Sequence, residues 1–159
     1  MTYLAILVVA HLDRLVDGCV AVVSDDGTSY GQPAGKDGCH EPTVEMPTFE
    51  PLSWEVNWKS LPPKLMYEII NLHYTIEVLN HKIANAAGHD SPPDYADYFW
   101  ERRHGYAVLG LHVSNFAKEL RRHAGLPIAV PAPDEWSRDE FLKERKDKLE
   151  AKRQESREG

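Results

Sequence analysis

Two long amphipathic segments joined by only a few residues constrain the fold of this 159-residue chain more than any other feature. In the first segment, apolar residues recur at alternating spacings of four and three, which keeps them on one side of a helix, as in coiled coils. Pro62 and Pro63 suit its first turn, and Gly88 suits the position after its last turn. The sequence therefore predicts a helix over residues 61–87. Its apolar positions are Leu65, Ile69, Leu72, Ile76, Leu79, Ile83 and Ala86.

The second segment predicts a helix over residues 92–124. Ser91 and Asp94 fit an N-terminal cap with prolines just inside the helix, and Gly125 fits a C-terminal stop. Only residues 88–91 separate the two helices, so they must be antiparallel neighbours. The apolar stripe of the second helix consists of Phe99, Tyr106, Leu109, Val113, Phe116 and Leu120.

Two glycines lie inside the second predicted helix. Gly105 and Gly110 each cost about 1 kcal/mol in helix propensity. Their presence favours either a close helix–helix contact or a bend at these positions.

The N-terminal residues 4–23 are compatible with two kinds of structure. Residues 4–9 and 20–23 have strand character, with a turn after them at Asp26-Gly27. In a helix, however, the apolar residues of the whole segment would lie on one face and its charged residues on the other. This separation favours a half-buried helix. An alternative is that residues 3–23 lie in a membrane interface. Charges interrupt the apolar run, so the sequence does not predict a spanning helix.

The domain organisation follows from composition along the chain. Residues 1–125 are predicted to form a helical domain with a long loop at 24–50, which is rich in turn-forming residues. Residues 126–136 are proline-rich and predict an extended linker. Residues 137–159 predict a charged helical tail exposed to solvent, because few of its residues are large and apolar. The predicted fold class is thus all-α: a long antiparallel helical hairpin packed by an N-terminal helix, resembling a three-helix bundle, with a solvated charged C-terminal helix.

Net charge and motif content exclude several classes of function. The formal net charge is −7, which argues against a general nucleic-acid binder and against docking on acidic lipids by charge alone. No nucleotide-binding loop, dinucleotide fingerprint or hydrolase nucleophile motif is present. The sequence therefore predicts no cofactor. Whether Cys19 and Cys39 form a disulfide is left open by the sequence.

A metal site is one alternative. Glu101 and His104 form an E-x-x-H motif, the spacing that di-iron carboxylate bundles use to place a carboxylate and an imidazole on one inward face. Such bundles carry the motif on two helices, whereas the first helix offers His73 and Glu77 instead. A metal-dependent enzyme built on these four residues is therefore an alternative hypothesis.

The preferred hypothesis is a non-enzymatic interaction or scaffold protein that binds a protein partner or forms a homo-oligomer. Aromatic and arginine side chains are typical of interface hot spots. The expected compartment is the cytoplasm, with membrane association through the N-terminal segment as the alternative. The predicted interface residues are Tyr95, Tyr98, Trp100, Arg102, Trp54 and Trp58.

Overall fold

The computed structural model describes residues 2–158 and contains four α-helices in that range. They are α1 (Thr2–Val23), α2 (Pro63–Gly88), α3 (Ala96–Ala124) and α4 (Arg138–Glu158). The prediction of an all-α fold is confirmed.

Helix α3 is the centre of the fold, and α1, α2 and α4 all pack against it. Arg103, near the start of α3, bonds to Val23 at the end of α1, whereas Arg121 near the end of α3 pairs with Asp13. Helix α1 is therefore antiparallel to α3, and the same reversed order relates α3 to α2 and α4. The pairs that show this are Asn80–Tyr106 and Lys82–Glu101 for α2, and Asp139–Ser114 and Arg153–Glu101 for α4.

Helix α1 contributes more buried apolar residues to the core than any other helix, which supports the helical interpretation of residues 4–23. Its charged residues lie outside this surface, and its apolar face packs against α3. The predicted need for a third element beside the hairpin is thus met by α1. Its buried residues are Leu4, Ala5, Val8, Val9, Leu12, Leu15, Val16, Cys19, Val22 and Val23.

The two glycines within α3 permit close helix contacts. A Cβ built on Gly105 would lie 2.3 Å from a methyl carbon of Leu79 on α2. A Cβ on Gly110 would lie 2.8 Å from a methyl carbon of Leu142 on α4 and 3.0 Å from Cβ of Cys19 on α1. Of the two explanations offered by the sequence, the close contact is therefore the one observed.

Helix α3 begins later than predicted, at Ala96 rather than at residue 92. Ser91 does not act as its cap. Instead, the carboxylate of Asp90 accepts hydrogen bonds from the backbone N–H groups of Ser91 and Tyr98 and so orders the turn before the helix. Tyr95, the residue before the helix, has a left-handed backbone that an α-helix does not include, so α3 begins after it.

The connecting segments contain only short regular elements. A small antiparallel pair, β1 (Thr28–Ser29) and β2 (Gln32–Pro33), lies in the long loop. Residues 52–58, which alternate like a strand in the sequence, form no strand. Their two ends belong to 3-10 turns at Pro51–Ser53 and Trp58–Ser60.

Helix α4 is charged and largely exposed, as predicted, but it also packs against the domain. Leu142 is fully buried, in the space that Gly110 leaves open on α3. Charged residues of α4 pair with oppositely charged residues of α1 and α3, including Arg138 with Asp13 and Lys118 with Asp139. These long-range contacts have no signature in the local sequence of the tail.

Candidate functional site

A buried ion pair lies where α1, the long loop and α3 meet. The guanidinium of Arg102 donates to the carboxylate of Asp25 at 2.6 Å, and both side chains are 1 % exposed. A second guanidinium nitrogen donates to the carbonyl of Val44 at 2.7 Å. Arg102, predicted from the sequence as an interface residue, therefore lies in the interior and holds the loop to α3.

The carboxylate of Asp25 also organises the loop itself. It accepts backbone N–H bonds from Gly27, Thr43 and Val44 and a hydroxyl bond from Thr43. Burial alone would raise the pKa of Asp25, but the hydrogen bonds from Arg102, Thr43 and Gly27 outweigh burial and lower it below its ordinary value. Sequence reasoning missed Asp25, because a loop aspartate before a glycine is an ordinary turn signal.

Trp100 is held by contacts within the chain. Its ring stacks on His104 with 4.4 Å between ring centroids, and the guanidinium of Arg153 lies over the ring at 3.6 Å. Its indole N–H donates to the carbonyl of Leu149 at 2.9 Å. The half-buried indole thus joins α3 to α4.

The two other predicted tryptophans lie together on a different side of the protein. Trp54 stacks on His11 of α1 at 4.0 Å and on Trp58 at 5.8 Å, and Phe49 meets Trp54 edge-on at 5.4 Å. These half-buried rings cover the space between α1 and the segment before α2.

The predicted tyrosines lie at the start of α3. Tyr98 is half-buried and meets Phe99 edge-on at 5.0 Å. Tyr95, also half-buried, occupies the residue before α3 in a left-handed conformation, with φ of 50°. The six predicted interface residues are therefore spread over the interior and two separate regions rather than one surface.

The proposed metal ligands on α3 bind other side chains. Glu101 pairs with Arg153 at 3.2 Å and with Lys82 at 3.4 Å. His104 contacts the carboxylate of Glu150 at 2.9 Å. Both members of the E-x-x-H motif thus join α3 to neighbouring helices.

The proposed ligands on α2 form a pair of their own. His73 donates through Nδ1 to the carbonyl of Phe49 at 2.7 Å, and its Nε2 lies 2.9 Å from Glu77. The hydrogen bond to Phe49 raises the pKa of His73, and Glu77 adds to the effect. Within residues 2–158, no three His, Cys, Asp or Glu side chains are grouped as a metal site requires.

A second stripe runs along the outer, solvent-facing side of α2. It exposes Tyr67, Tyr74 and Val78, whose relative exposures are 67 %, 63 % and 50 %. Like the buried stripe, it follows alternating spacings of four and three, but none of its positions carries a formal charge with histidine neutral. We call this the outer α2 stripe, and it consists of Tyr67, Asn71, Tyr74, Val78, His81 and Asn85.

A shallow groove of about 380 Å³ runs beside this stripe, between α2 and α3. Val78 and Thr75 form its α2 side, and Val108 and His112 form its α3 side. The close contact of Leu79 with Gly105 brings the two helices together beneath it. The outer α2 stripe therefore continues into a mainly neutral concave surface.

A second cleft, of about 370 Å³, lies between the start of α3 and the end of α4. Phe99 and Leu149 contribute apolar wall, and charged residues of both signs surround them. It lies beside Trp100 and is separate from the groove between α2 and α3.

Comparison with known proteins does not identify the chain: no protein-family model, no curated protein and no solved structure matches it. Among residues 2–158, no helix has both the length and the apolar content that crossing a bilayer requires.

Proposed function

We propose that this protein is a non-enzymatic helical interaction protein that pairs with a second copy of itself through the outer α2 stripe. The observation that carries the proposal is a regularly spaced, uncharged stripe that exposes Tyr67, Tyr74 and Val78 on a helix whose other apolar stripe is already buried. A 4-3 spacing places the side chains along a seam that a second helix can cover.

Exposed tyrosines on a rigid helix suit an interface. Tyr67 and Tyr74 are fixed on the scaffold by the packing of Ile69, Leu72 and Ile76 on the opposite side of α2. Large aromatic side chains bury much area with few rotatable bonds, and tyrosine is enriched at binding hot spots. Covering them would remove apolar surface from water at about 25 cal/mol per Å².

A second copy fits this stripe because the stripe is self-complementary. In an antiparallel pair with a two-fold axis between residues 74 and 78, Tyr74 lies opposite Val78 of the second copy. Tyr67 then meets Asn85, and Asn71 meets His81. No formal charge lies in the seam, whereas the net charge of −7 makes acidic surfaces of two copies repel each other.

The charges that flank the seam are compatible with the same arrangement. In the antiparallel register, Glu68 of one copy lies near Lys82 of the other, and the two-fold axis creates this approach twice. Within each chain Glu68 already pairs with Lys64 at 3.9 Å and Lys82 with Glu101 at 3.4 Å, so the added attraction is small. Glu77 approaches its own symmetry mate, but it is already bound to His73 at 2.9 Å, which reduces the repulsion.

The test is the oligomeric state of a charge-bearing variant measured across protein concentration. We expect light scattering and sedimentation to show a concentration-dependent dimer for the natural sequence. The double variant Tyr74→Glu/Val78→Glu introduces four carboxylates into the paired seam and should be monomeric. The matched control, Tyr30→Glu/Val130→Glu, changes one exposed tyrosine and one exposed valine outside α2 and should remain dimeric.

Two outcomes would contradict the proposal. One is a natural chain that stays monomeric at every concentration. The other is a dimer that survives Tyr74→Glu/Val78→Glu as well as it survives the control, because the interface would then lie elsewhere. Circular dichroism of both variants separates loss of pairing from loss of folding.

A further inference from the structure

The 370 Å³ cleft between α3 and α4 has a size typical of small-molecule sites. Its walls come from three parts of the chain that are distant in sequence. Residues 94–103 form one side, residues 149–156 of α4 form the second, and Asp26 with His40 from the long loop form the third. The cleft therefore exists only while α4 is docked on α3.

The charges that line the cleft are balanced in number, but most of them are not paired with one another. Three carboxylates and three cations line it, and of these only Asp97 and Arg153 form an ion pair, at 3.5 Å. Within residues 2–158, Arg103 and Lys152 form no ion pair with any carboxylate. Asp94 contacts only His40 among ionisable groups, at 3.7 Å.

Arg103 is the most constrained of the unpaired cations. It is half-buried, and its Nε donates to the carbonyl of Val23 at 2.8 Å, which fixes the guanidinium at the cleft. Burial lowers its pKa, the negative charge of Asp26 partly opposes this, and the positive charge of Arg145 adds to the lowering. A half-buried cation with no paired carboxylate gains from an anionic ligand.

On the acidic side, Asp94 is exposed, and one carboxylate oxygen of Asp26 accepts hydrogen bonds from Thr28. The backbone N–H of Asp26 also donates to its own carboxylate. Phe99 and Leu149 supply apolar wall in the same cleft. A ligand with a single charge would satisfy one side and be repelled by the other.

We propose that this cleft binds a small zwitterion whose carboxylate and ammonium groups are separated by an apolar spacer. The carboxylate binds Arg103 and Lys152, the ammonium group binds Asp94 and Asp26, and the spacer lies along the apolar wall. The site is independent of the dimer proposed above, because none of these residues belongs to the outer α2 stripe.

The first experiment compares three probes that share a carbon chain. 6-Aminohexanoate carries both charges, hexanoate lacks the ammonium group, and hexylamine lacks the carboxylate. The indole N–H signal of Trp100, assigned with Trp100→Phe, reports on the cleft because that N–H bonds to Leu149 in its wall. Trp54 and Trp58 lie elsewhere and serve as internal controls.

We expect 6-aminohexanoate to shift the Trp100 signal saturably and leave the two control signals unchanged. Hexanoate and hexylamine should each bind more weakly, by up to roughly fivefold, because each lacks one of the two exposed charge pairs. All titrations are made at constant ionic strength with sodium chloride. The bound probe should also slow amide exchange in residues 149–156, because it bridges α4 and α3.

Charge-reversal variants test the residue assignments. Lys152→Glu should weaken binding of 6-aminohexanoate roughly fivefold or more. Lys143→Glu, at an exposed lysine on the same helix outside the cleft, should leave binding unchanged. In the same way, Asp94→Lys should weaken binding of 6-aminohexanoate, whereas Asp134→Lys, outside the cleft, should leave it unchanged.

The proposal is overturned if no probe gives a saturable shift of Trp100. It is also overturned if hexanoate binds as tightly as 6-aminohexanoate, which would reveal a simple anion site. If Lys152→Glu and Lys143→Glu bind 6-aminohexanoate with equal affinity, the binding site does not lie in this cleft.

Discussion

Helices α1 and α4 both lie antiparallel along α3, but different forces hold them there. Helix α1 buries a continuous apolar face, whereas α4 fully buries only Leu142. Helix α4 relies instead on ion pairs such as Arg138–Asp17, Asp139–Lys118 and Arg153–Glu101.

This difference predicts which helix can separate from the rest of the fold without global unfolding. Apolar burial stabilises in proportion to area and, unlike an ion pair, is not screened by salt. Exposed ion pairs contribute only about 0–1 kcal/mol each and weaken with salt. We therefore expect α1 to unfold only with the whole domain, and α4 to open locally at lower free-energy cost.

The largest effect is expected from Asp25→Ala, at the junction of α1 with α3. The change leaves the guanidinium of Arg102 buried without its counter-ion, and removing one partner of a buried pair costs about 3–5 kcal/mol. Urea denaturation gives the free energy of unfolding, with exposed Asp134→Ala as the control. A loss below about 1 kcal/mol, the range of surface pairs, would contradict the interior role of the pair.

The same carboxylate makes the domain sensitive to acid. Because the folded pKa of Asp25 is lowered, its stabilisation is complete above the unfolded value of about 3.9 and is lost as pH falls through the folded pKa. We expect Asp25→Asn to reduce the stability difference between neutral and acidic pH. An identical pH dependence of unfolding in Asp25→Asn and the natural sequence would disagree with this expectation.

Leu12→Ala tests the apolar attachment of α1. The side chain is fully buried, and such truncations cost about 2–5 kcal/mol. The loss should appear as a lower free energy of unfolding for the whole domain, measured by urea denaturation. Exposed Leu52→Ala is the matched control and should change stability by less than about 0.5 kcal/mol.

Leu142→Ala is the counterpart on α4. Leu142 is also fully buried, and no other side chain of α4 is buried to this extent. Truncating Leu142 should therefore open α4 locally rather than unfold the domain. Hydrogen exchange should accelerate throughout α4 while α1 stays protected. Equal acceleration in α1 and α4 would show that the two helices form one cooperative unit.

The smallest effect is expected from salt. Raising ionic strength should accelerate amide exchange in α4 by the small factor that corresponds to about 0.2–1 kcal/mol for each exposed pair, and leave α1 unchanged. An α4 whose exchange is independent of salt would show that Leu142 and its apolar neighbours hold the helix without help from the ion pairs.

Helix formation could be predicted well, because it depends on local spacing. The stripe of α2 that includes Ile69, Leu72, Ile76 and Ile83 is buried as its periodicity required. Predictions from local patterns were wrong where the structure depends on contacts outside the pattern. Helix α3 starts later than predicted because Tyr95 has a left-handed backbone, which an α-helix does not include.

The sequence predicted the candidate functional sites much less well than it predicted the helices. The spacing of Glu101 and His104 suggested metal ligation, but their contacts with Arg153 and Glu150 depend on the docking of α4. The pair of Asp25 with Arg102 joins residues 77 positions apart, and no local pattern reports such a contact.

Amphipathic spacing along the chain is enough to establish the two helices of the hairpin, since the period of a helix decides which side chains share a face. Residues 4–23 also had strand character, and only the structure establishes that they form a helix. The outer α2 stripe was recognised only from the structure, in which Tyr67, Tyr74 and Val78 stay exposed. The tertiary structure decides what each face meets. Leu142 is core only because Gly110 leaves room for it, and the charges of the cleft face one another only because α4 docks on α3. Packing and ion pairing depend on distances between elements, which the order of residues does not contain.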